Sequence, residues 1–480
     1  MRYDLIILGN DPIGLDGALA AVQLKKRVVV ITSPEANRDS SRAALREAAL
    51  RLTGFQNREV SPELFARRRE VTIEQLRGLS QEVESQKLAG IEKQLRERGV
   101  DFVAGSARLL GPNEVEVTPF TNDSRCLIGD KILLAVGSQS VRPSRIPFDG
   151  ETIIDSDDVL SLNRIPKSMI IVGGGHVALE CATTFALLGT RIAVVDDQRQ
   201  LLGVCDREVV RLFRQQAMQL GVHFRLGRSV NAIEKTFDNR AAVRLESGKS
   251  LFAECVLYAS SQRGMTDALN LAAAGLLPDE HGRLWCNEYG QTWVKHIYAV
   301  GDVVGFPAFA NLAIGQGSRA VQHVFGRPAS DTLPVARGLS AIPKLAMVGA
   351  TEQQLRHDLV AYDVGVARFR DDARGHFGGA ARGMLKLLFH RESLELLGVH
   401  CLGESASERI RLGQAVMSMG GSIELFRDES LSDSALSDCY RLAAEDGMRR
   451  VEQAATVSES RLRIWRPESR RRRPLVPSLP

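Results

Sequence analysis

Two glycine-rich turns, about 160 residues apart, constrain the fold of this chain more than any other feature. The turns span residues 9–14 and 173–178, and each follows a short apolar strand and precedes a helix rich in small residues. This order is typical of a βαβ unit in which glycines let the backbone approach a pyrophosphate at a helix N-terminus. One such turn is weak evidence, but two in one chain predict two dinucleotide-binding domains.

Composition favours an ordinary globular protein and excludes a mostly disordered chain, a collagen-like chain and a disulphide scaffold. The chain has 480 residues, of which 44% are hydrophobic and 25% are charged, with a net charge of +4. No run approaches the ~18 apolar residues of a membrane span, and the short run at residues 5–8 is not a signal peptide. The seven cysteines are scattered and the histidines have no metal-ligand spacing. We therefore expect a cytoplasmic protein without a metal site or a membrane partner.

The order of strands and helices predicts an α/β protein made of three units. Residues 1–150 and 270–333 form one Rossmann-like domain, and residues 151–269 form a second one inserted in it. Residues 334–451 form a third, α+β domain. The tail at residues 452–480 loses apolar periodicity and ends in an arginine cluster, so we expect it to be disordered. The tail accounts for the basic excess; no nucleic-acid partner is expected of the body, and a contact of the tail with anions stays open.

The second turn has the pattern expected of a nicotinamide-dinucleotide site. Gly173 and Gly175 supply the tight turn and the close approach, while Ala178 takes a position that serves packing of the helix. Asp196 ends the next strand, where a carboxylate can accept hydrogen bonds from both ribose hydroxyls and disfavours a 2′-phosphate. Two arginines nearby in the sequence, Arg191 and Arg199, could soften that preference for NAD(H). The alternative is a packed turn without a ligand.

The first turn departs from the pattern at two positions. Gly9 and Gly14 are present, but Asp11 stands where the second glycine is expected. Its Cβ would crowd a pyrophosphate, and its carboxylate would repel one. Thr32 ends the next strand in place of an acid and can make only one hydrogen bond to a ribose. Two hypotheses stay open here, a functional site and an inherited fold whose site is vacant.

Further segments resemble the pyridine nucleotide-disulphide oxidoreductases, flavoproteins with two dinucleotide-binding domains. Residues 298–302, Tyr-Ala-Val-Gly-Asp, are similar to the second flavin motif of that family, and residues 342–355 to the start of its interface domain. Residues 385–392 and 397–401 are similar to its transhydrogenase branch. The resemblance covers residues 1–451. It implies an FAD-binding domain, an inserted NAD(P)-binding domain and a C-terminal dimerisation domain in a homodimer.

The resemblance also implies which residues hold the cofactors. For NAD these are Gly173, Gly175, Ala178, Glu180 and Asp196. For FAD they are Gly9, Gly14, Thr32, Gly137, Gly301 and Asp302. Glu180 is also the candidate catalytic residue, beside nicotinamide and flavin, with a merely solvated carboxylate as its alternative. Asp302 has an alternative role as the N-cap of a following helix.

The disulphide chemistry of the family can be excluded from the residues. No cysteine precedes Cys126, and residues 433–438 contain no histidine to act as an acid or base. The resemblance then implies transhydrogenase-like transfer of hydride between NAD(H) and NADP(H) through flavin, which needs no dithiol. Two alternatives are a simple NADH diaphorase and a catalytically silent, NAD-responsive binding protein with a vacated flavin site.

Overall fold

The computed structural model describes eight stretches of the chain. They are residues 1–32, 38–55, 70–120, 124–306, 315–327, 334–371, 383–427 and 435–464. The arginine cluster of the tail and residues 433–434 lie outside these stretches. None of the helices in the described stretches is long and apolar enough to cross a membrane.

The first part of the chain builds most of a parallel sheet. Its elements are β1 (Arg2–Leu8), α1 (Pro12–Gln23), β2 (Val28–Thr32), α2 (Arg38–Thr53), α3 (Ile73–Glu97), β3 (Asp101–Leu109), β4 (Glu114–Pro119), β5 (Arg125–Leu134) and β6 (Ser138–Ser140). Strand β1 lies between β2 and β5, and all three run parallel. Strand β3 extends the sheet beside β2, and β4 joins β3 to β5 in antiparallel pairs.

The second part of the chain forms the inserted domain. Its elements are β7 (Ile153–Asp155), β8 (Ser168–Val172), α4 (His176–Leu187), β9 (Arg191–Asp196), α5 (Arg207–Leu220), β10 (Val222–Leu226), β11 (Val230–Lys235), β12 (Ala241–Leu245), β13 (Ser250–Ala253), β14 (Cys255–Tyr258) and β15 (Gln262–Gly264). The parallel sheet has the order β10-β9-β8-β14-β7, and β11, β12 and β13 form a separate antiparallel sheet. Strand β15 leaves the insert and pairs antiparallel with β6, which precedes it.

The chain then returns to the first sheet. The elements are β16 (Leu284–Trp285), β17 (Ile297–Ala299), β18 (Val304–Phe306) and α6 (Gln316–Val324). Strand β17 pairs parallel with β5 and so completes the first sheet. Helix α6 packs on α1, where a Cβ added at Gly17 would lie 3.4 Å from the carbonyl oxygen of Gly317. The two halves of the first domain therefore enclose the insert in sequence.

The C-terminal domain is an antiparallel sheet covered by helices. Its elements are β19 (Arg337–Leu339), β20 (Leu345–Gly349), α7 (Glu352–His357), β21 (Tyr362–Arg368), β22 (Met384–His390), β23 (Leu396–Leu402), α8 (Ala406–Ser418) and α9 (Ala435–Ile464). The sheet order is β19-β20-β23-β22-β21. The predicted fold class, two Rossmann-like domains with one inserted in the other and an α+β domain, is confirmed. Helix α9 continues beyond residue 451, so residues 452–464 are helical rather than disordered.

Burial explains why the central strands read as continuous apolar runs. Residues 5–8 of β1 and residues 169–172 of β8 are almost wholly inaccessible to solvent. Parallel strands covered by helices on both faces need apolar side chains at successive positions rather than at alternate ones. The N-terminal apolar run is thus a buried strand of the first sheet, as predicted.

A buried lysine joins the inserted domain to the C-terminal domain. The Lys386 Nζ on β22 lies 2.9 Å from an oxygen of Asp206 and 3.1 Å from one of Glu208, both at the start of α5. It lies 2.7 Å from an oxygen of Glu352 on α7. The Lys386 side chain is 0% exposed. Burial opposes ionisation of Asp206, but His400 and Lys386 outweigh it and lower the pKa of this carboxyl. The ammonium group therefore neutralises carboxylates from two domains.

Replacing Lys386 by methionine is expected to destabilise the protein by about 3–5 kcal/mol, because removal of one partner leaves buried carboxylates without their cation. Thermal and urea unfolding of the full chain measure this loss. The matched control is Arg391→Met, which removes the exposed ion pair of Arg391 with Asp363 (2.9 Å). The control should lose less than about 1 kcal/mol. Equal losses in the two variants would contradict the role given to Lys386.

Candidate functional site

The glycine turn of the inserted domain leaves a helix N-terminus open. Gly173 has φ +116°, and a Cβ there would lie 2.6 Å from the carbonyl oxygen of Ala259. Gly175 is the N-cap of α4 and brings no side chain to the helix end, where no side-chain cap is made. Ala178 is fully buried, as its predicted packing role requires. The first N–H groups of α4 are therefore available to an anion.

Asp196 reaches this turn from the end of β9. A Cβ added at Gly174 would overlap the Asp196 carboxylate, so the side chain lies directly against the turn. Burial raises the pKa of Asp196, although backbone N–H groups of the next residues donate to it. Gly173, Gly175 and Asp196 are thus brought together at the carboxyl end of the sheet, where ligands bind in open α/β folds.

A cleft of about 330 Å³ opens beside these residues. Its volume falls at the lower end of the range for small-molecule sites. Its lining residues include Gly173, Asp196, Arg228, Ser229, Tyr258 and Ser260. The lining offers a carboxylate, a guanidinium and hydroxyl groups, the donors and acceptors that a nucleotide requires.

Glu180 lies where three parts of the chain meet. One of its carboxylate oxygens accepts a hydrogen bond from the Ser340 backbone N–H at 3.1 Å, so α4 is tied to the segment between β19 and β20. Arg46 on α2 is close enough for its charge to interact with Glu180 and donates to the carbonyl oxygen of Ala341. Glu180 is therefore held between domains rather than simply solvated. Its placement beside nicotinamide and flavin stays a prediction.

The glycine turn of the first domain resembles that of the inserted domain, but the helix that follows it has a side-chain cap. Gly9 has φ +102°, and a Cβ there would overlap the carbonyl group of Ala135. Gly14 packs against the Ala135 side chain. Asp11, however, is the N-cap of α1, and its Oδ1 accepts a hydrogen bond from the Gly14 N–H at 2.6 Å. The N-terminus of α1 thus carries its own carboxylate.

Burial dominates the electrostatics of Asp11. The residue is 6% exposed. Burial, with a smaller contribution from the nearby charge of Asp302, raises the pKa of its carboxyl to about 7, although the Gly14 and Ile13 N–H groups donate hydrogen bonds that lower it. The signal for this arrangement was present in the sequence, because aspartate followed by proline is the expected pairing at the N-cap and first position of a helix.

Asp302 lies in the short turn that follows β17, beside the N-terminus of α1. Its Oδ2 accepts a hydrogen bond from the Ser138 hydroxyl at 3.0 Å. A Cβ added at Gly301 would lie 3.0 Å from Asp11 Oδ2, so the two acids face the same space. Asp302 is followed by strand β18, and the next helix among the described residues starts at Gln316 with Gly315 as its N-cap, so the alternative role of Asp302 as that N-cap is wrong. The sequence analysis assigned no role to the hydroxyl of Ser138, because a single serine after a strand has no distinguishing pattern.

Two other predicted residues lie at the edges of this space. Gly137 follows β5 with φ +71°, and its carbonyl oxygen accepts from the Met265 N–H at 3.1 Å. Thr32 is the last residue of β2 and is partly buried. The chain after Thr32 lies outside the described residues, so the surroundings of a ribose at this point are not defined.

Comparison with known proteins gives a consistent result along the chain. The model of the pyridine nucleotide-disulphide oxidoreductase family matches residues 3–317, and that of the dimerisation domain of the same family matches residues 335–441. Among solved structures, LpdA of Mycobacterium tuberculosis has a TM-score of 0.79 at 22% identity, over 93% of this chain and 99% of that chain. The flavoprotein disulfide reductase RclA of Escherichia coli has a TM-score of 0.73 at 22% identity, over 92% and 100%.

Curated relatives match nearly end to end. The soluble pyridine nucleotide transhydrogenase of Mycobacterium tuberculosis is 37% identical over 461 residues, which cover 94% of this chain and 98% of the relative. The protein of the same name from a Marinomonas species is 33% identical over 94% of this chain and 99% of its own length. The chain therefore belongs to the pyridine nucleotide-disulphide oxidoreductase family.

Proposed function

We propose that this protein is an FAD-dependent pyridine nucleotide oxidoreductase of the transhydrogenase type, which moves hydride between NAD(H) and NADP(H). The observation that carries the proposal is the uncapped N-terminus of α4 with Asp196 against its turn. The names of the full-length relatives support the enzymatic hypothesis over a silent binding protein. Cysteine pairs are not needed for this reaction.

The first domain supplies most of what an FAD site requires. Gly9, Gly14 and Gly137 allow tight turns next to the sheet, and the Ser138–Asp302 pair lies beside α1. Bound flavin supplies the hydride-accepting ring that amino-acid side chains lack. The residues fit FAD on one condition, namely that the Asp11 carboxylate moves off the helix end or is neutral, because a pyrophosphate uses the same N–H groups.

The inserted domain supplies the nicotinamide-nucleotide site. Asp196 is suited to the paired ribose hydroxyls of NAD(H). A second groove, of about 210 Å³, lies on the same domain and is lined by Arg199, Arg207, Arg211 and Arg214. The Arg199 side chain packs over Gly227, next to Arg228 of the first cleft. The Arg214 guanidinium lies over the Phe224 ring, 5.8 Å from its centroid, and the four arginines together form a basic groove suited to a 2′-phosphate.

We propose a homodimer as the working form and the cytoplasm as its compartment. The match to the dimerisation domain supports the dimer. The seven cysteines are all free and six are buried, which suits a reducing compartment. Sedimentation of the purified chain measures the first of these proposals.

The proposed function is tested by the visible spectrum and by transfer of hydride. After incubation with FAD and removal of the unbound cofactor, the purified chain should retain flavin absorbance at about 450 nm. It should then reduce an NAD⁺ analogue of distinct absorbance with NADPH as the donor. NADH oxidation with artificial acceptors but no transfer between nucleotides would instead indicate a diaphorase. Absence of flavin binding and of turnover would contradict the proposal.

Two substitutions are expected to separate the two nucleotides. Asp196→Ala should raise KM for NADH about tenfold, as loss of hydrogen bonds worth about 1–2 kcal/mol requires, and leave KM for NADPH nearly unchanged. Arg199→Ala should do the reverse. Steady-state kinetics with each nucleotide measure both effects.

Arg191→Ala is the matched control, because Arg191 is an exposed arginine at the opposite end of β9 from Asp196. It should change neither KM. A parallel loss for both nucleotides in all three variants would contradict the assignment of Asp196 and Arg199.

A further inference from the structure

The N-terminus of α1 is capped by a carboxyl group of the protein itself, that of Asp11. Asp11 occupies the motif position of the second glycine, and its Oδ1 lies 2.6 Å from the Gly14 nitrogen. Its other oxygen faces Gly301. Pro12 starts the helix and donates no N–H, so the Asp11 carboxylate takes up a large share of the bonding capacity of this helix end.

The surroundings of Asp11 provide no compensating cation among the described residues. On α1 the next acid is Asp16, which accepts from the Ser318 N–H of α6 at 3.0 Å. The turn after β17 contributes Asp302, whose partner is the Ser138 hydroxyl. Gln316 of α6 accepts from the Gly301 N–H. Among these groups the charge that acts on Asp11 is that of Asp302, which is negative.

We infer that Asp11 is a built-in competitor for the pyrophosphate of FAD, so that the cofactor is held reversibly and binds when Asp11 gives up the N-terminus of α1. The inference rests on the proposed function. It gives the first domain a property that the second lacks, because Gly175 leaves the corresponding end of α4 without a side chain.

Proton uptake follows from this competition. An ionised Asp11 both caps the helix and repels a pyrophosphate, whereas the neutral carboxyl does neither as strongly. The pKa of Asp11 in the free protein is about 7. Below that value the carboxyl is already neutral, and FAD binds without a proton. Above it each binding event takes up a proton, so the Kd for FAD rises by up to tenfold for each pH unit.

The experiment measures FAD binding to the full chain by quenching of flavin fluorescence between about pH 6 and about pH 9. Asp11→Gly restores the glycine of the motif and should bind FAD at least tenfold more tightly at the alkaline end, with a flat pH profile. Asp11→Asn keeps a capping side chain without its charge. It should also give a flat profile, but with weaker binding than Asp11→Gly. Circular dichroism verifies that each variant is folded.

Asp16→Asn is the matched control, because it removes a neighbouring negative charge from the same helix but not the cap. Its pH profile should follow that of the unmodified chain. If the unmodified chain and Asp11→Gly bind FAD equally at every pH, the inference is overturned while the proposed function stands. If neither binds FAD at any pH, both are overturned. A steeper profile in the unmodified chain than in both Asp11 variants supports the inference.

Discussion

The close approach of a glycine turn to the neighbouring strand is the contact on which both nucleotide domains depend. Gly9 lies against Ala135 in one domain and Gly173 against Ala259 in the other, at distances that leave no room for a Cβ. Each contact directs a helix N-terminus over the carboxyl end of a parallel sheet. The helix dipole and unsatisfied N–H groups then create a positive end at the same place in each domain. In the inserted domain the N-terminus of α4 has no side-chain cap, whereas in the first domain the Asp11 carboxylate caps the N-terminus of α1.

The match between sequence and structure is best where local pattern and tertiary environment agree. The apolar runs of β1 and β8 predicted buried parallel strands, and the order of segments predicted the insertion. The sequence analysis identified Asp11 as an obstacle to a pyrophosphate but not as a cap, although an aspartate followed by proline is the pairing expected at the start of a helix. Helix α9 continues into residues 452–464 because helix-forming side chains such as glutamine, alanine and arginine persist after the apolar period ends.

The lysine cluster could not be predicted at all. Lys386 lies between leucines on β22, and its partners Glu352 and Asp206 are 34 and 180 residues away in sequence. No local pattern links such positions, and a lysine within an apolar strand reads as a solvent-facing residue. Here it is buried because two domains each bring carboxylates to it. A charged residue within an apolar strand can therefore mark a contact between domains.

The pairing of β6 with β15 affects how the inserted domain is placed on the first domain. Both chain crossings between the first domain and the insert run through this two-stranded ribbon, and Gln262 on it contacts Ser138 and Ser140. The chain therefore enters and leaves the insert through two adjacent, hydrogen-bonded strands. The relative position of the two proposed nucleotide sites is therefore set during folding, before any nucleotide binds.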